Sequence, residues 1–270
     1  MEIKKTCVFC GVGTELTKEH IYPSGIIKSL KTSQIDLLTI NDRKDTPFKG
    51  DPVIKDVCGS CNNGPLSKLD SYFVDAFNDY MSVPLEPGDD ITFEYNYNLL
   101  LRELLKISYN SARAANGNYD AVTVLKRFSS YIISGYKKPS GIMLSLQIVT
   151  SANQLDTLTN RVVGSLRPYL LRNGTINGLG LNTNNYLVRM VAFNSFWFYL
   201  LMPKRNINSK KKKEFWDEFK KKNHLHGILL KERESKIHIP KEKTTFLHPN
   251  LIEGMMKTVG NRISIISEGN

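Results

Sequence analysis

The only four cysteines of the 270-residue chain stand as two Cys-x-x-Cys pairs, Cys7-Val8-Phe9-Cys10 and Cys58-Gly59-Ser60-Cys61. No other feature constrains the fold as much. Each pair is a knuckle that brings two thiolates to one ion, and two knuckles have the spacing of a tetrahedral four-cysteine zinc site. Such a site is closed, so its Zn2+ is structural and does no chemistry. It would staple a leading segment that has little apolar material of its own, and small modules need such staples. The bland alternative is two unrelated reduced pairs. A disulfide framework is disfavoured, because the chain is long, holds few cysteines and begins without a secretory apolar run. No apolar run reaches transmembrane length; the best spans residues 190–202 and carries Asn194 and Ser195. Reduced thiols for metal and the lack of a span point to a cytoplasmic protein with no membrane partner.

Any chemistry must then come from what the staple positions. Leu16-Thr17-Lys18-Glu19-His20-Ile21-Tyr22-Pro23 lies between the knuckles, and Cys61 runs straight into Asn62-Asn63-Gly64-Pro65. Knuckles that meet at one ion bring Glu19 and His20 close to Asn62. Each residue also has a plainer reading. His20 alone reads as an ordinary surface or core histidine, Glu19 as its companion, and Asn62 as a helix N-cap with Pro65 in the first turn. Asp70 lies two helical turns beyond Asn62 and shares its face; it reads equally as a structural carboxylate or as part of a site.

These motifs together resemble the zinc-stapled branch of the HNH endonucleases, built on a ββα-metal (His-Me) finger. The likeness covers about residues 5–75 and rests on Cys-x-x-Cys-Gly, Leu-Thr-Lys-Glu-His-Ile-Tyr-Pro and Val-Cys-Gly-Ser-Cys-Asn-Asn-Gly. A weaker echo is Lys106-Ile-Ser-Tyr-Asn110, similar to a segment that often follows such fingers. The resemblance implies that His20 is the general base for an attacking water, a role suited to imidazole. It implies that Glu19 and Asn62 hold a catalytic Mg2+ or Mn2+; Asp70, by sharing a helix face with Asn62, would be a further ligand or a brace for the base. Hard ions of this kind favour oxygen ligands. It also implies a setting in restriction, phage defence or mobile-element biology. Two departures stand out: no histidine follows the second knuckle, and Lys55-Asp56 occupy the region where many relatives carry a base-orienting asparagine.

The expected fold class is α+β. A zinc-stapled finger over residues 1–82 precedes a larger domain over 83–270 that mixes helices with an antiparallel sheet, the turn-rich stretch 83–90 marking the boundary. Net charge is +11. It concentrates late: residues 204–243 hold 14 Lys and Arg against 6 Asp and Glu, whereas residues 1–80 hold 10 against 11. A polyanionic substrate would therefore be attracted by the C-terminal part. Its centre is a helix from Ser209 to Asn223 in which Phe215, Trp216 and Phe219 form an apolar stripe between Lys210, Lys211, Lys212, Lys213 and Lys220, Lys221, Lys222. These lysines would either contact a phosphate backbone without reading bases or simply solvate a surface helix. His224 and His226 read more as ordinary strand histidines than as a second metal pair.

Periodicity predicts helices over 65–81, 99–115 and 121–134, and strands over 16–23, 91–97, 142–150, 186–193 and 196–202. An island at Ile35–Ile40 reads as a strand inside an otherwise irregular 24–52. Residues 153–166 read as helix or loop, and 173–180 as turn. Arg102, Lys106 and Arg113 are expected away from the buried face of the 99–115 helix. The leading functional expectation is an HNH endonuclease acting on DNA. A silent zinc-finger nucleic-acid binder is the first rival and a nuclease subunit governed by a regulatory protein partner the second; a double-strand break would need a homodimer or two events.

Overall fold

In β10 (Tyr186–Phe193) and β11 (Phe196–Pro203) every side chain is buried. A strand with that pattern lies in a sheet covered on both faces. The computed structural model, which describes residues 6–32, 38–39, 48–49, 52–115, 119–176, 185–205, 208–223, 227–239 and 244–249, places the pair at the centre of a five-stranded sheet. β6 (Met143–Ile148) and β12 (Ile228–Leu229) continue it beyond β11, and β9 (Leu171–Thr175) closes the other side, all pairs antiparallel.

Alternation divides the sheet's side chains between two cores. Leu187, Val191, Phe193, Phe196, Phe198 and Leu200 face the larger one. Tyr186, Val188, Met190, Trp197, Tyr199 and Leu201 face the smaller one. The smaller core is capped by the lysine helix (Ser209–Asn223), whose Phe215 stacks on Tyr186 at 3.6 Å and whose Phe219 meets Tyr199 at 5.5 Å. The larger is filled by the central helix (Tyr97–Ala114), which Asn96 caps by accepting the Leu99 N–H at 3.1 Å. That helix is buried almost all round, as a helix threaded through a core must be.

The N-terminal part is a hairpin and a long helix. β1 (Leu16–His20) pairs antiparallel with β4 (Val53–Cys58), Leu16 opposite Cys58 and His20 opposite Val53. The register shifts between Thr17 and Glu19, where β4 contributes an extra residue. Helix begins at once after Cys58 and runs through residues 59–81, with wider π-type turns at Asn62–Leu66 and Phe77–Met81. Pro65 sits inside the first of these; with no N–H to give, it suits a turn whose hydrogen bonds are already displaced. Shorter elements complete the fold: a helix at Ser24–Thr32, β2 (Leu38–Thr39) with β3 (Phe48–Lys49), β5 (Ile91–Glu94) with β13 (Lys236–Ile239), helices at Tyr119–Lys126 and Ser129–Ser134, and a hairpin of β7 (Ala152–Leu155) and β8 (Val162–Leu166). One apolar cluster runs from Cys7 and Phe9 through Phe73, Phe77 and the central helix to Phe198 and Ile239.

The molecule is thus mixed α+β with antiparallel sheets. Several sequence readings need correction. The helix expected from Pro65 starts six residues earlier, at Gly59. Residues 24–32 are helical, not irregular, because Ile26, Ile27 and Leu30 make one buried face. Residues 153–166 form mostly the β7–β8 hairpin, and 171–175 is an edge strand. The helix expected over 121–134 is broken at Arg127–Phe128 and ends at Gly135, whose φ of +71° an L side chain rarely adopts. The Ile35–Ile40 island lies largely outside the described residues, as do His224 and His226. No helix among the described residues is long and apolar enough to cross a membrane.

Candidate functional site

The hairpin and the helix that follows it bring the two cysteine knuckles together. In the first, the Gly11 N–H reaches the Cys7 carbonyl at 2.8 Å and the Cys7 N–H reaches the Val12 carbonyl at 3.0 Å, with Gly11 at a φ of +76°. In the second, the Cys58 sulfur accepts the Cys61 N–H at 3.4 Å at the helix start. All four sulfurs lie within 4.8 Å of one another, and Cys10 and Cys58 are 3.7 Å apart. A tetrahedron of sulfurs each about 2.3 Å from zinc has edges of roughly 3.8 Å; a disulfide would need about 2.05 Å. The thiols are free, and the four together can hold one structural metal ion such as zinc.

Their acidities fit that purpose. Burial pushes the Cys7 thiol up, but N–H groups of Cys10, Cys58 and Phe9 outweigh it and bring it down to about 7. Cys61 is pushed well up, by burial and then by its sulfur neighbours. Cys10 also rises: the Val12 N–H pulls it down, but burial and the adjacent Cys7 and Cys58 thiols prevail. Thiols this close resist sharing negative charge, and a bound cation relieves that resistance. Among the described residues these cysteines are the group of three or more His, Cys, Asp and Glu side chains placed to share an ion.

Beside the cluster, Asn62 lies against β1. Its Nδ2 donates to the Lys18 carbonyl and to Thr17 Oγ1, both at 2.9 Å, while Thr17 Oγ1 donates onward to the Val57 carbonyl at 2.9 Å. These partners fix the amide orientation. The Asn62 Oδ1 accepts no hydrogen bond among the described residues. Asn62 is helical, with φ −64° and ψ −55°, so it is not an N-cap; Cys58 holds that position.

Glu19 is buried, 2% exposed, on the same strand. Its Oε1 is 3.5 Å from the Lys106 ammonium and 3.4 Å from Asn110 Nδ2. Its Oε2 has neither hydrogen bond nor ion pair among the described residues. Burial raises the Glu19 pKa, against the pull of Lys106. The adjacent His20 is half-buried; its carbonyl accepts from Asn110 Nδ2 at 3.0 Å, and its ring makes no hydrogen bond among the described residues.

Lys106 was expected away from the buried face, yet it is fully enclosed. Three carboxylates meet its ammonium: Asp70, Glu103 at 3.1 Å and Glu19 at 3.5 Å. Asp70 therefore touches Glu19 only through Lys106. Two of these carboxylates, Glu19 and Glu103, are buried, and one cation does not offset the desolvation of both. Glu103, fully buried and with no hydrogen bond to either oxygen, is the one pushed up, to about 8, by burial that outweighs Lys106; Lys106 itself is held above its usual value by Glu103, Asp70 and Glu19, against burial. Sequence reasoning missed Lys106, Glu103 and Asn110 as site residues. The available signal was polar side chains at i, i+3 and i+7 within an otherwise apolar helix.

The lysine helix lies on the far face of the sheet. Lys210, Lys211, Lys213, Lys220 and Lys221 are exposed, and Lys212 is half-covered with the end of its stem beside Gly141. Lys220 stands 5.5 Å over Trp216 and 3.3 Å from Asp217. Trp216 is partly buried against the smaller core, so the stripe's aromatics are mainly structural. The Lys222 side chain lies outside the described residues. Comparison with protein families, curated proteins and solved structures finds no match to this chain.

Proposed function

We propose that this protein is a divalent-metal-dependent endonuclease of the HNH type that hydrolyses phosphodiester bonds in DNA, its ββα-metal finger being β1, β4 and the 59–81 helix. One observation carries the reading. Glu19, His20 and Asn62 each have one polar atom tethered by the fold and another left open: Glu19 Oε2, the His20 ring and Asn62 Oδ1. A fold that tethers one atom of each group and leaves another without a partner restricts all three in a way that suits ligation and proton transfer.

The open oxygens of Glu19 and Asn62 suit Mg2+ or Mn2+, which takes few protein ligands and keeps its waters. When bound, such an ion stabilises charge that develops on the scissile phosphate. His20, half-exposed, takes the proton from the attacking water. The four-cysteine zinc fixes the hairpin against the helix so that Asn62 faces Lys18. The lysine helix adds charge attraction to the polyanion.

The test is nicking of supercoiled plasmid in Mg2+, Mn2+ or EDTA by wild type and Glu19→Gln, beside single-stranded DNA and RNA of the same sequence. Divalent-dependent nicking lost in the variant supports the reading. Cleavage in EDTA contradicts it. A second reading, a binder that does not cut, is favoured by Lys106, which already gives Glu19 a counter-charge at 3.5 Å; tight DNA binding without nicking in any metal would select it.

A further inference from the structure

We propose that Asn110, on the central helix, is the positioning residue of this site and sets the geometry of Glu19 and His20; the inference rests on the nuclease reading above. Asn110 is completely buried, and all three polar positions of its amide are engaged. Its Nδ2 donates to Glu19 Oε1 at 3.4 Å and to the His20 carbonyl at 3.0 Å. Its Oδ1 accepts from the Arg113 guanidinium at 2.9 Å. That guanidinium grips Asp56 of β4, Nε to Oδ2 at 2.8 Å and Nη2 to Oδ1 at 3.3 Å. It is itself held over the Tyr109 ring at 4.0 Å and the Phe9 ring at 5.4 Å.

The result is a closed chain from β4 through Asp56, Arg113 and Asn110 to β1. It spans the bulged hairpin from both strands, and it is built from a helix some 90 positions away in sequence. Arg113 can only donate, so Oδ1 faces it and the NH2 must face Glu19 and His20. A residue that grips the Glu19 side chain and the His20 carbonyl ties the carboxylate to the strand backbone that follows it. It thereby sets the Glu19 carboxylate relative to the backbone from which the His20 imidazole projects. Partners that orient a ligand in this way commonly contribute about 10- to 100-fold in metal affinity or activity.

Asn110→Asp keeps the shape and the acceptor for Arg113 but presents an oxygen where Glu19 and the His20 carbonyl need a donor. Asn110→Ser removes the reach without adding charge. With zinc content and thermal midpoint measured on each, Asn110→Asp is expected to lower kcat on supercoiled plasmid about 10- to 100-fold with KM within about twofold of wild type. Asn110→Ser is expected to weaken Mn2+ binding about 10-fold, read by electron paramagnetic resonance on zinc-loaded protein without nucleic acid. Wild-type kcat in Asn110→Asp and wild-type Mn2+ affinity in Asn110→Ser, beside an inactive His20→Ala, would overturn the proposal and leave the nuclease reading intact. Wild-type protein that neither binds Mn2+ nor cuts would overturn both.

Discussion

Lys106→Met removes the one cation at the meeting point of three carboxylates while keeping most of the side chain's volume. Glu103 and Glu19 lie 3.1 and 3.5 Å from its ammonium, with Asp70 in contact. At such distances each attraction is worth roughly 5 kcal/mol at an effective dielectric of about 20, most of it offset by desolvation of the lysine. Removing one partner of a buried pair leaves charge uncompensated and costs about 3–5 kcal/mol. The carboxyls can escape that cost by keeping protons, so the loss depends on pH. A carboxyl whose pKa is raised by folding holds a proton that the unfolded chain has released. Stability therefore falls as pH rises from the unfolded value to the folded one. Glu103, at about 8, already behaves this way, and loss of Lys106 moves the buried Glu19 further in the direction in which burial already pushes it. The variant should lose about 3–5 kcal/mol at pH 8 and about half that or less at pH 5. Urea unfolding of zinc-loaded protein at both pH values measures it. A loss that is the same at both, or below about 1 kcal/mol at pH 8, would refute the reasoning.

Glu103→Gln should flatten the wild-type decline of stability between pH 5 and 8, since it removes the raised carboxyl without adding charge; an unchanged pH profile in urea titrations would contradict that. Cys61→Ser should abolish zinc binding, seen by elemental analysis, and loosen residues 6–81 in hydrogen exchange, because the knuckle at the helix start loses a ligand. Phe215→Ala should cost about 3–5 kcal/mol through loss of the stack on Tyr186 while zinc content stays at wild type. Exchanging Lys210, Lys211, Lys213 and Lys221 for Gln should reduce the slope of log affinity against log salt, by about 0.9 for each phosphate of duplex DNA that these lysines neutralise.

Much of this was legible in the sequence where one element carries its own signal. The knuckles announced the thiol cluster, the β-branched and aromatic runs of β10 and β11 announced strands of an antiparallel sheet, and the Phe215–Phe219 spacing offered a docked helix as one of two readings. What the sequence hid depends on long-range contact. The β7–β8 hairpin has mostly exposed strands with no clean alternation, so its pattern resembled loop. Helix 24–32 is short and follows Pro23, which reads as a break. Lys106 looked like a surface residue because a lysine at the centre of a core is tolerable only with carboxylates from other elements around it. Those partners, Glu19 on β1 and Asp70 on the 59–81 helix, lie 87 and 36 positions away. Asn110 was hidden for the same reason, its role being visible only once the central helix lies across the hairpin.

The most direct test of the account is the plasmid-nicking rate of His20→Ala against wild type in Mn2+, both at equal zinc content. The ring of His20 makes no hydrogen bond among the described residues, so the variant should stay folded and zinc-loaded. Nicking should fall by at least about 100-fold, the contribution expected of a general base. Nicking by the variant at the wild-type rate would contradict the central claim that this dipeptide, held between two cysteine knuckles, is the catalytic centre.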